Sequence, residues 1–188
     1  LITGGLGGLG LACAKWLVNK GAKRIILISR GNPTDQVQLV IDKLKTDEVH
    51  VSTYQCDVSL RSDWENLMNN LKLQHPELRG VFHLAGCLDD GLLRNLSWER
   101  FDKILQPKVK GMLHYQKAMA TSELDFEIYF SSVASVLGNL GQANYAAANA
   151  FLDAFSEARR QQGKHAITIN LGAITDTGMW DRSKSVSF

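Results

Sequence analysis

Short apolar runs alternate along the chain with stretches whose apolar residues recur every three or four positions. The runs are Leu1–Thr3, Arg24–Ser29 (RIILIS), Val49–Gln55, Gly80–Leu84 (GVFHL), Phe126–Ser131 (FEIYFS) and Ala166–Leu171 (AITINL). Most are continuously apolar rather than alternating, the pattern of strands buried on both faces of a parallel sheet. Between them the spacing predicts helices over Leu9–Lys20, Val37–Lys45, Leu60–Lys72, Trp98–Leu105, Lys108–Thr121 and Asn144–Gln162. Gly21 and Gly163 stop the first and last of these. Ser59 and Ser97 stand where N-caps are expected, and Pro107 predicts a break between the fourth and fifth helices. Alternating strands and helices mean an α/β fold, an open, doubly wound parallel sheet with helices on both faces. Right-handed crossovers then bring the loops after the strands to one rim, where function is expected.

Composition narrows the classes. The 188 residues are 45% hydrophobic, which suits one domain with a sizeable core. The formal net charge is +2, and no run of Lys or Arg exceeds two residues, so no surface for nucleic acid is expected. No apolar run approaches the roughly 20 residues of a membrane helix, and no signal-peptide pattern is visible. Cys13, Cys56 and Cys87 are far apart and form neither a CxxC pair nor a Cys/His cluster. They read as buried free thiols in a cytoplasmic protein. His83, inside an apolar strand, reads as a packed histidine, and no metal site is expected. Leu1–Thr3 reads as the end of a strand, and the tail DRSKSVSF lacks a closing element. Residues 1–188 therefore read as one unit of a larger polypeptide.

One loop carries recognisable chemistry. TGGLGGLG, from Thr3 to Gly10, follows a strand and opens a helix. Thr3, Gly4, Gly5, Leu6, Gly7, Gly8, Leu9 and Gly10 would form a tight turn that a pyrophosphate can approach, with free helix N–H groups facing the anion. At the end of the second strand Ser29 is followed by Arg30, not by the carboxylate that would hold a ribose 2′-hydroxyl. An arginine there can pair with a 2′-phosphate and points to NADPH. Asp57, with Val58 beside it, follows the third strand and could touch the adenine ring or serve only as a turn residue.

These residues, with Ser132, Tyr145 and the HLAG stretch His83–Gly86, resemble the short-chain dehydrogenase/reductase family. Thr3, Gly4, Gly8 and Gly10 fit its TGxxxGxG loop, Ser132 and Tyr145 its serine and tyrosine, and Ala85 and Gly86 fall in its cofactor-wall motif. A narrower resemblance rests on LITGGLGGLG, RGVFHLAGCLDDGLL, LQPKVKG, FSSVASVLGNLGQANYAAANAFLDA and INLGAI. They occur in the order expected of the ketoreductase domains of modular polyketide synthases. The resemblance covers the catalytic, cofactor-binding half of such a domain and implies a Rossmann-like fold. It also implies a reaction: NADPH delivers hydride to the β-ketone of an acyl chain carried on an acyl carrier protein, among neighbouring synthase domains.

A ketone oxygen that gains negative charge needs a proton and hydrogen bonds. Tyr145 is the candidate acid and Ser132 the second donor. A free tyrosine titrates near pH ~10, so bringing it near 7 takes about 4 kcal/mol of help for the phenolate. A lysine within ~4–6 Å is the natural source, yet the residue one helical turn after Tyr145 is Asn149. The family resemblance resolves this. Ordinary short-chain reductases carry the lysine at that position and an asparagine on the helix before the fifth strand; polyketide ketoreductases exchange the two. Lys108, in PKVKG, then matches the lysine and Asn149 the asparagine. The expectation is geometric: the Lys108 ammonium within reach of the Tyr145 hydroxyl, and Asn149 beside both. Outside the family pattern Lys108 would read as one more surface lysine, like Lys103 and Lys110.

The resemblance extends to stereochemistry. Leu88, Asp89 and Asp90 match the LDD signature of B-type ketoreductases, which yield the D-hydroxyl. Leu137 stands where A-type members carry tryptophan, and Ala147 replaces the proline of epimerising B2 members, so B1-type behaviour is implied. Without the family, paired aspartates after a strand read as solvated loop residues. Met179 and Trp180, in GMWDRS, are expected to begin a lid over the acyl chain. Two alternatives stand beside this reading. One is the ketoreductase of a fatty acid synthase, with the same reaction. The other is a reduction-incompetent scaffold domain, against which the intact Lys108, Ser132, Tyr145 and Asn149 argue.

Overall fold

The computed structural model of the chain describes residues 1–75 and 77–174. One parallel sheet runs through it in the order β3-β2-β1-β4-β5-β6. Its strands are β1 (Ile2–Thr3), β2 (Arg24–Ser29), β3 (His50–Gln55), β4 (Gly80–His83), β5 (Phe126–Ser132) and β6 (Ala166–Leu171). The winding direction reverses between β1 and β4, so a crevice opens at their C-terminal ends, where sheets of this kind take ligands.

Strand β2 shows why the apolar runs are unbroken. A strand points successive side chains to opposite faces. Ile25 and Leu27 pack with Ala14 of α1 (Gly8–Asn19) and Ile41 of α2 (Asp35–Leu44). Ile26 and Ile28 pack on the other face, with Trp64 and Leu67 of α3 (Arg61–Gln74), Met112 and Tyr115 of α5 (Gly111–Ala118), and Leu152 of α7 (Ala143–Gln161). Each such side chain, fully buried, contributes about 1.5–3 kcal/mol. Both layers are therefore written into one hexapeptide.

The helix ends differ from expectation in three places. Ser59 does not cap α3: Leu60 takes that position without a side-chain bond. The Ser59 N–H and hydroxyl instead meet Asp57 Oδ1 at 2.9 and 2.6 Å, a local turn that competes with capping. Helix α2 begins earlier than its apolar spacing suggests because Thr34 Oγ1 accepts from the Val37 N–H at 3.4 Å. Ser97 does cap α4 (Trp98–Leu105), accepting from the Arg100 N–H at 3.5 Å.

The third difference bears on the site. Pro107 does not separate two helices. Helix α4 continues through a π turn, Gln106–Lys110, directly into α5. Proline lacks an N–H and crowds the carbonyl four residues back, and a one-residue widening of the turn accommodates both effects. The Lys103 carbonyl, which an α-helical residue 107 would have served, accepts instead from Cys87 Sγ at 3.5 Å. Lys108 therefore lies within the π turn, not at the start of a helix.

All three cysteines are free, but only Cys56 is fully buried. Burial, with Asp63 and Asp57 adding to it, pushes its thiol up to about 12. Cys13, on α1, and Cys87, in the segment after β4, are half-buried, short of the burial expected.

Candidate active site

A cleft of about 730 Å³ opens at the crevice, within the roughly 300–1,000 Å³ usual for small-molecule sites. Its floor is the loop between β1 and α1. Gly4 adopts φ +64°, and a Cβ there would lie 3.0 Å from the Ala85 nitrogen. A Cβ on Gly10 would lie 2.6 Å from the Gly4 carbonyl oxygen, so the loop closes this tightly only without a side chain at that position. Gly7 opens α1 with no side-chain cap and no acidic residue in the first turn. The first N–H groups of the helix stay open to an anion.

Leu6, Gly7, Gly8 and Leu9 line the cleft with Gly4 and Gly10, while Thr3 and Gly5 lie behind it. Thr3 is fully buried. Its Oγ1 accepts from the Leu84 and Ala85 N–H groups at 3.2 and 3.1 Å and meets His83 Nδ1 at 2.8 Å. With two N–H groups donating to the threonine oxygen, its own proton goes to Nδ1. Burial, then the charge on Lys108, holds the His83 pKa down to about 3. The histidine is a packed, neutral part of the clamp between β1 and β4, as its apolar strand suggests.

Ser29, Arg30, Asp57, Val58, Ala85 and Gly86 line the same cleft. Arg30 has an exposed side chain, and its carbonyl accepts from Gln55 Nε2 at 2.9 Å. Asp57 Oδ1 is committed to Ser59. A tight glycine-rich turn, an uncapped helix N-terminus and a free guanidinium at the end of β2 together fit the phosphates of a dinucleotide.

Across the cleft stand Lys108, Ser132 and Tyr145. Lys108 is buried, and its Nζ donates to the Phe130 carbonyl at 2.8 Å and lies 5.9 Å from the centre of the Tyr145 ring. Its stem passes Gly86, where a Cβ would be 3.1 Å from Lys108 Cε. Burial lowers the Lys108 pKa from 10.5 to about 8, against the opposing pull of Cys87 and Asp153. Ser132 ends β5. Its Oγ accepts from the Ala134 N–H at 3.2 Å, which leaves the hydroxyl proton to donate into the cleft.

Tyr145 occupies the first turn of α7. Burial raises its phenol above the ordinary range, and the side chains of Asn149 and Ser132 pull it in the other direction. Asn149 is fully buried; its Nδ2 donates to the Tyr145 carbonyl at 2.8 Å and its Oδ1 has no protein partner. The expected four residues are thus brought together, with a difference in detail. The ammonium is bound to a β5 carbonyl beside the tyrosine ring, and desolvation of the phenol outweighs the groups that would lower it.

Leu88 also lines the cleft, and Leu137, from the short helix α6 (Ala134–Leu137), stands 82% exposed at its mouth. Asp90 is an exposed loop residue, as paired aspartates after a strand suggest, but Asp89 is half-buried and engaged by cations. The Asp89 carboxylate is paired with Arg100 and Lys103, and Arg100 foremost holds it below the usual carboxylate range. Asp90 Oδ2 accepts from Gln142 Nε2 at 2.9 Å. Met179 and Trp180 lie outside the described residues.

Sequence reasoning passed over the support beneath Ser132. Ser135 Oγ lies 2.8 Å from the Ser132 carbonyl and 2.6 Å from Asp153 Oδ2, and it accepts from Asn170 Nδ2 at 2.8 Å. Asp153 was within reach of a spacing argument, since it follows Asn149 by one helical turn. It also passed over Asn144, whose side chain bonds across to the segment after β4. Among the described residues there is no cluster of His, Cys, Asp and Glu suited to a metal. Among them, too, no helix is long and apolar enough to cross a membrane.

A family model described as the KR domain matches residues 1–176. The chain is 43% identical over 179 residues to highly-reducing polyketide synthase 1 of Aureobasidium melanogenum, a match covering 95% of this chain and 8% of that protein. It is 40% identical over 179 residues to a phenolphthiocerol/phthiocerol polyketide synthase of Mycobacterium tuberculosis, covering 95% and 10% respectively. The chain thus spans about a tenth or less of the length of these curated relatives. Among solved structures, a ketoreductase domain from the bacillaene assembly line matches with a TM-score of 0.90 at 37% identity, over 95% of this chain and 44% of that one. An A-type ketoreductase from a modular polyketide synthase matches with a TM-score of 0.87 at 34% identity, over 95% and 38%.

Proposed function

The chain belongs to the KR domain family, the ketoreductase domains of polyketide synthases within the short-chain dehydrogenase/reductase superfamily, and on that premise we propose that it reduces a β-ketoacyl thioester to the β-hydroxyacyl thioester with NADPH. The observation that carries the proposal is the convergence of Lys108, Ser132 and Tyr145 on one cleft whose floor is a tight glycine-rich loop.

Thr3–Gly10 would hold the phosphates of the dinucleotide, which when bound would supply the hydride for the carbonyl carbon. Tyr145 gives its phenolic proton to the carbonyl oxygen as charge gathers there, and the Ser132 hydroxyl donates a hydrogen bond to the same oxygen. Lys108, with a pKa of about 8, carries its charge at neutral pH and steadies the phenolate that Tyr145 becomes. Asn149 fixes the main chain of Tyr145 and offers its unpartnered Oδ1 to a water that can return the proton. The exposed Arg30 guanidinium is the group for a 2′-phosphate and the reason for preferring NADPH over NADH. Asp57 and Val58, with Ala85 and Gly86, form the remaining cofactor wall.

The Leu88–Asp90 signature, and Leu137 in place of a tryptophan, support B1-type reduction to the D-hydroxyl. The acyl group arrives on an acyl carrier protein, and residues 1–188 work as the cofactor-binding catalytic unit among neighbouring synthase domains. Three free cysteines suit the reducing cytoplasm. The relatives named above are polyketide synthases, which favours this reading over a fatty acid synthase.

The test is NADPH consumption with a 3-oxoacyl thioester, followed by chiral analysis of the product. Wild type should turn over and give the D-hydroxyl. Tyr145→Phe should lose turnover by about 10²–10⁴-fold while keeping its melting temperature. Equal turnover by Tyr145→Phe would remove the tyrosine from the chemistry, and an L-hydroxyl product would refute the stereochemical assignment.

A further inference from the structure

The segment after β4 is fastened from two sides. From α4, Arg100 Nε and Lys103 Nζ donate to the Asp89 carboxylate at 2.7 and 3.0 Å. Arg100 Nη2 also donates to the Asp90 carbonyl at 2.6 Å. From the approach to α7, Gln142 holds the Asp90 carboxylate and the Gly91 N–H donates to the Gly141 carbonyl at 2.7 Å. The joint is Asn144, which is fully buried. Its Nδ2 donates to the Asp89 carbonyl at 2.9 Å, and its Oδ1 accepts from the Tyr145 N–H at 2.8 Å. One amide therefore ties the main chain of the loop to the main chain of Tyr145.

We propose that Asn144 and Arg100 are positioning residues that fix Leu88 relative to Tyr145 and thereby set which face of the ketone receives hydride. The proposal rests on the reductase reading above. Of Leu88, Asp89 and Asp90, only Leu88 lines the cleft; the two aspartates are occupied in holding it. Face selection is a difference between two substrate orientations in one pocket. A misplacement of about 1 Å can change a rate by about 10²-fold, so the difference survives only while wall and acid keep a fixed separation. The guanidinium fork reaches a carboxylate and a carbonyl at once, which a lysine ammonium on a similar stem does not do.

The experiment uses the chain with its native flanking sequence, NADPH and a 3-oxoacyl N-acetylcysteamine thioester. The readouts are the enantiomer ratio of the hydroxy product, kcat and KM. Arg100→Lys keeps a charge opposite Asp89 but loses the contact with the Asp90 carbonyl. Asn144→Ala cuts the joint itself. Both should lower the enantiomer ratio by about tenfold or more, with kcat falling more than KM rises. An unchanged ratio in a variant that still turns over overturns the proposal. Absence of turnover in wild type overturns the reductase reading, and the proposal with it. If Asn144→Ala fails to fold, Arg100→Lys, altered at the partly exposed edge of α4, decides alone.

Discussion

Replacing Lys108 with methionine should leave the protein at least as stable at pH 7 while removing turnover. The ammonium's pKa falls from 10.5 to about 8 on burial. That gap of roughly 2.5 pH units, at about 1.4 kcal/mol each, means that carrying the charge into the fold costs about 3.5 kcal/mol. Methionine is nearly as long and uncharged, but it leaves the Phe130 carbonyl without its donor at 2.8 Å, a loss of about 1–3 kcal/mol. The balance favours the variant by about 0.5–2.5 kcal/mol at neutral pH. Its pH dependence has a definite sign. The folded pKa is the lower one, so the unfolded chain holds the proton more tightly between about 8 and 10.5. Wild-type stability from this group is fully present above 10.5 and is lost as pH falls through about 8. The variant has no such proton. Its advantage should therefore shrink by about 3.5 kcal/mol on going to high pH and change sign, a relative shift of roughly 7–14 °C in Tm for a chain of this size. Thermal unfolding of both proteins from neutral pH to pH ~10.5 measures this, and groups common to both cancel in the difference. A difference that stays constant with pH, or a variant much less stable at pH 7, would refute the reasoning. A fold that carries a destabilising charge at its catalytic cleft is the expected signature of a group kept for chemistry.

Two substitutions test the cofactor cradle. Gly10→Ala places a Cβ 2.6 Å from the Gly4 carbonyl. It should destabilise by about 1–3 kcal/mol and weaken NADPH binding in a fluorescence titration, whereas Gly31→Ala, with nothing within 4 Å, should do neither. Wild-type affinity in Gly10→Ala would mean that the loop is not the phosphate site. Arg30→Ala should raise KM for NADPH by about 10–100-fold, the loss of a charge-assisted bond of about 1.5–3 kcal/mol, and leave KM for NADH unchanged. Equal effects on the two cofactors would separate Arg30 from the 2′-phosphate.

The layers of the fold are legible in the sequence because each is written many times. RIILIS serves both faces of the sheet, and every residue from Ile25 to Ile28 repeats the same message of burial. The phosphate loop is legible for a related reason: its glycines follow a strand and open a helix, and the clash at Gly10 shows that the pattern is steric necessity. A polar residue at the site, by contrast, takes its position from one partner, often distant in sequence. Ser59 reads as a helix cap until Asp57 is seen to hold it. Asp89 reads as solvated until Arg100 and Lys103 come round from another helix. Lys108 is the clearest case. Helical spacing cannot announce the one-residue widening at Pro107, and without the family pattern a lysine between Pro107 and Lys110 reads as surface. Asn144 had a local signal that went unused: an asparagine just before Tyr145, at the start of a helix, is a residue type that caps. Its more consequential bond, to the Asp89 carbonyl 55 positions away, had none. The groups least legible in the sequence are therefore those whose removal is expected to alter selectivity and rate rather than fold.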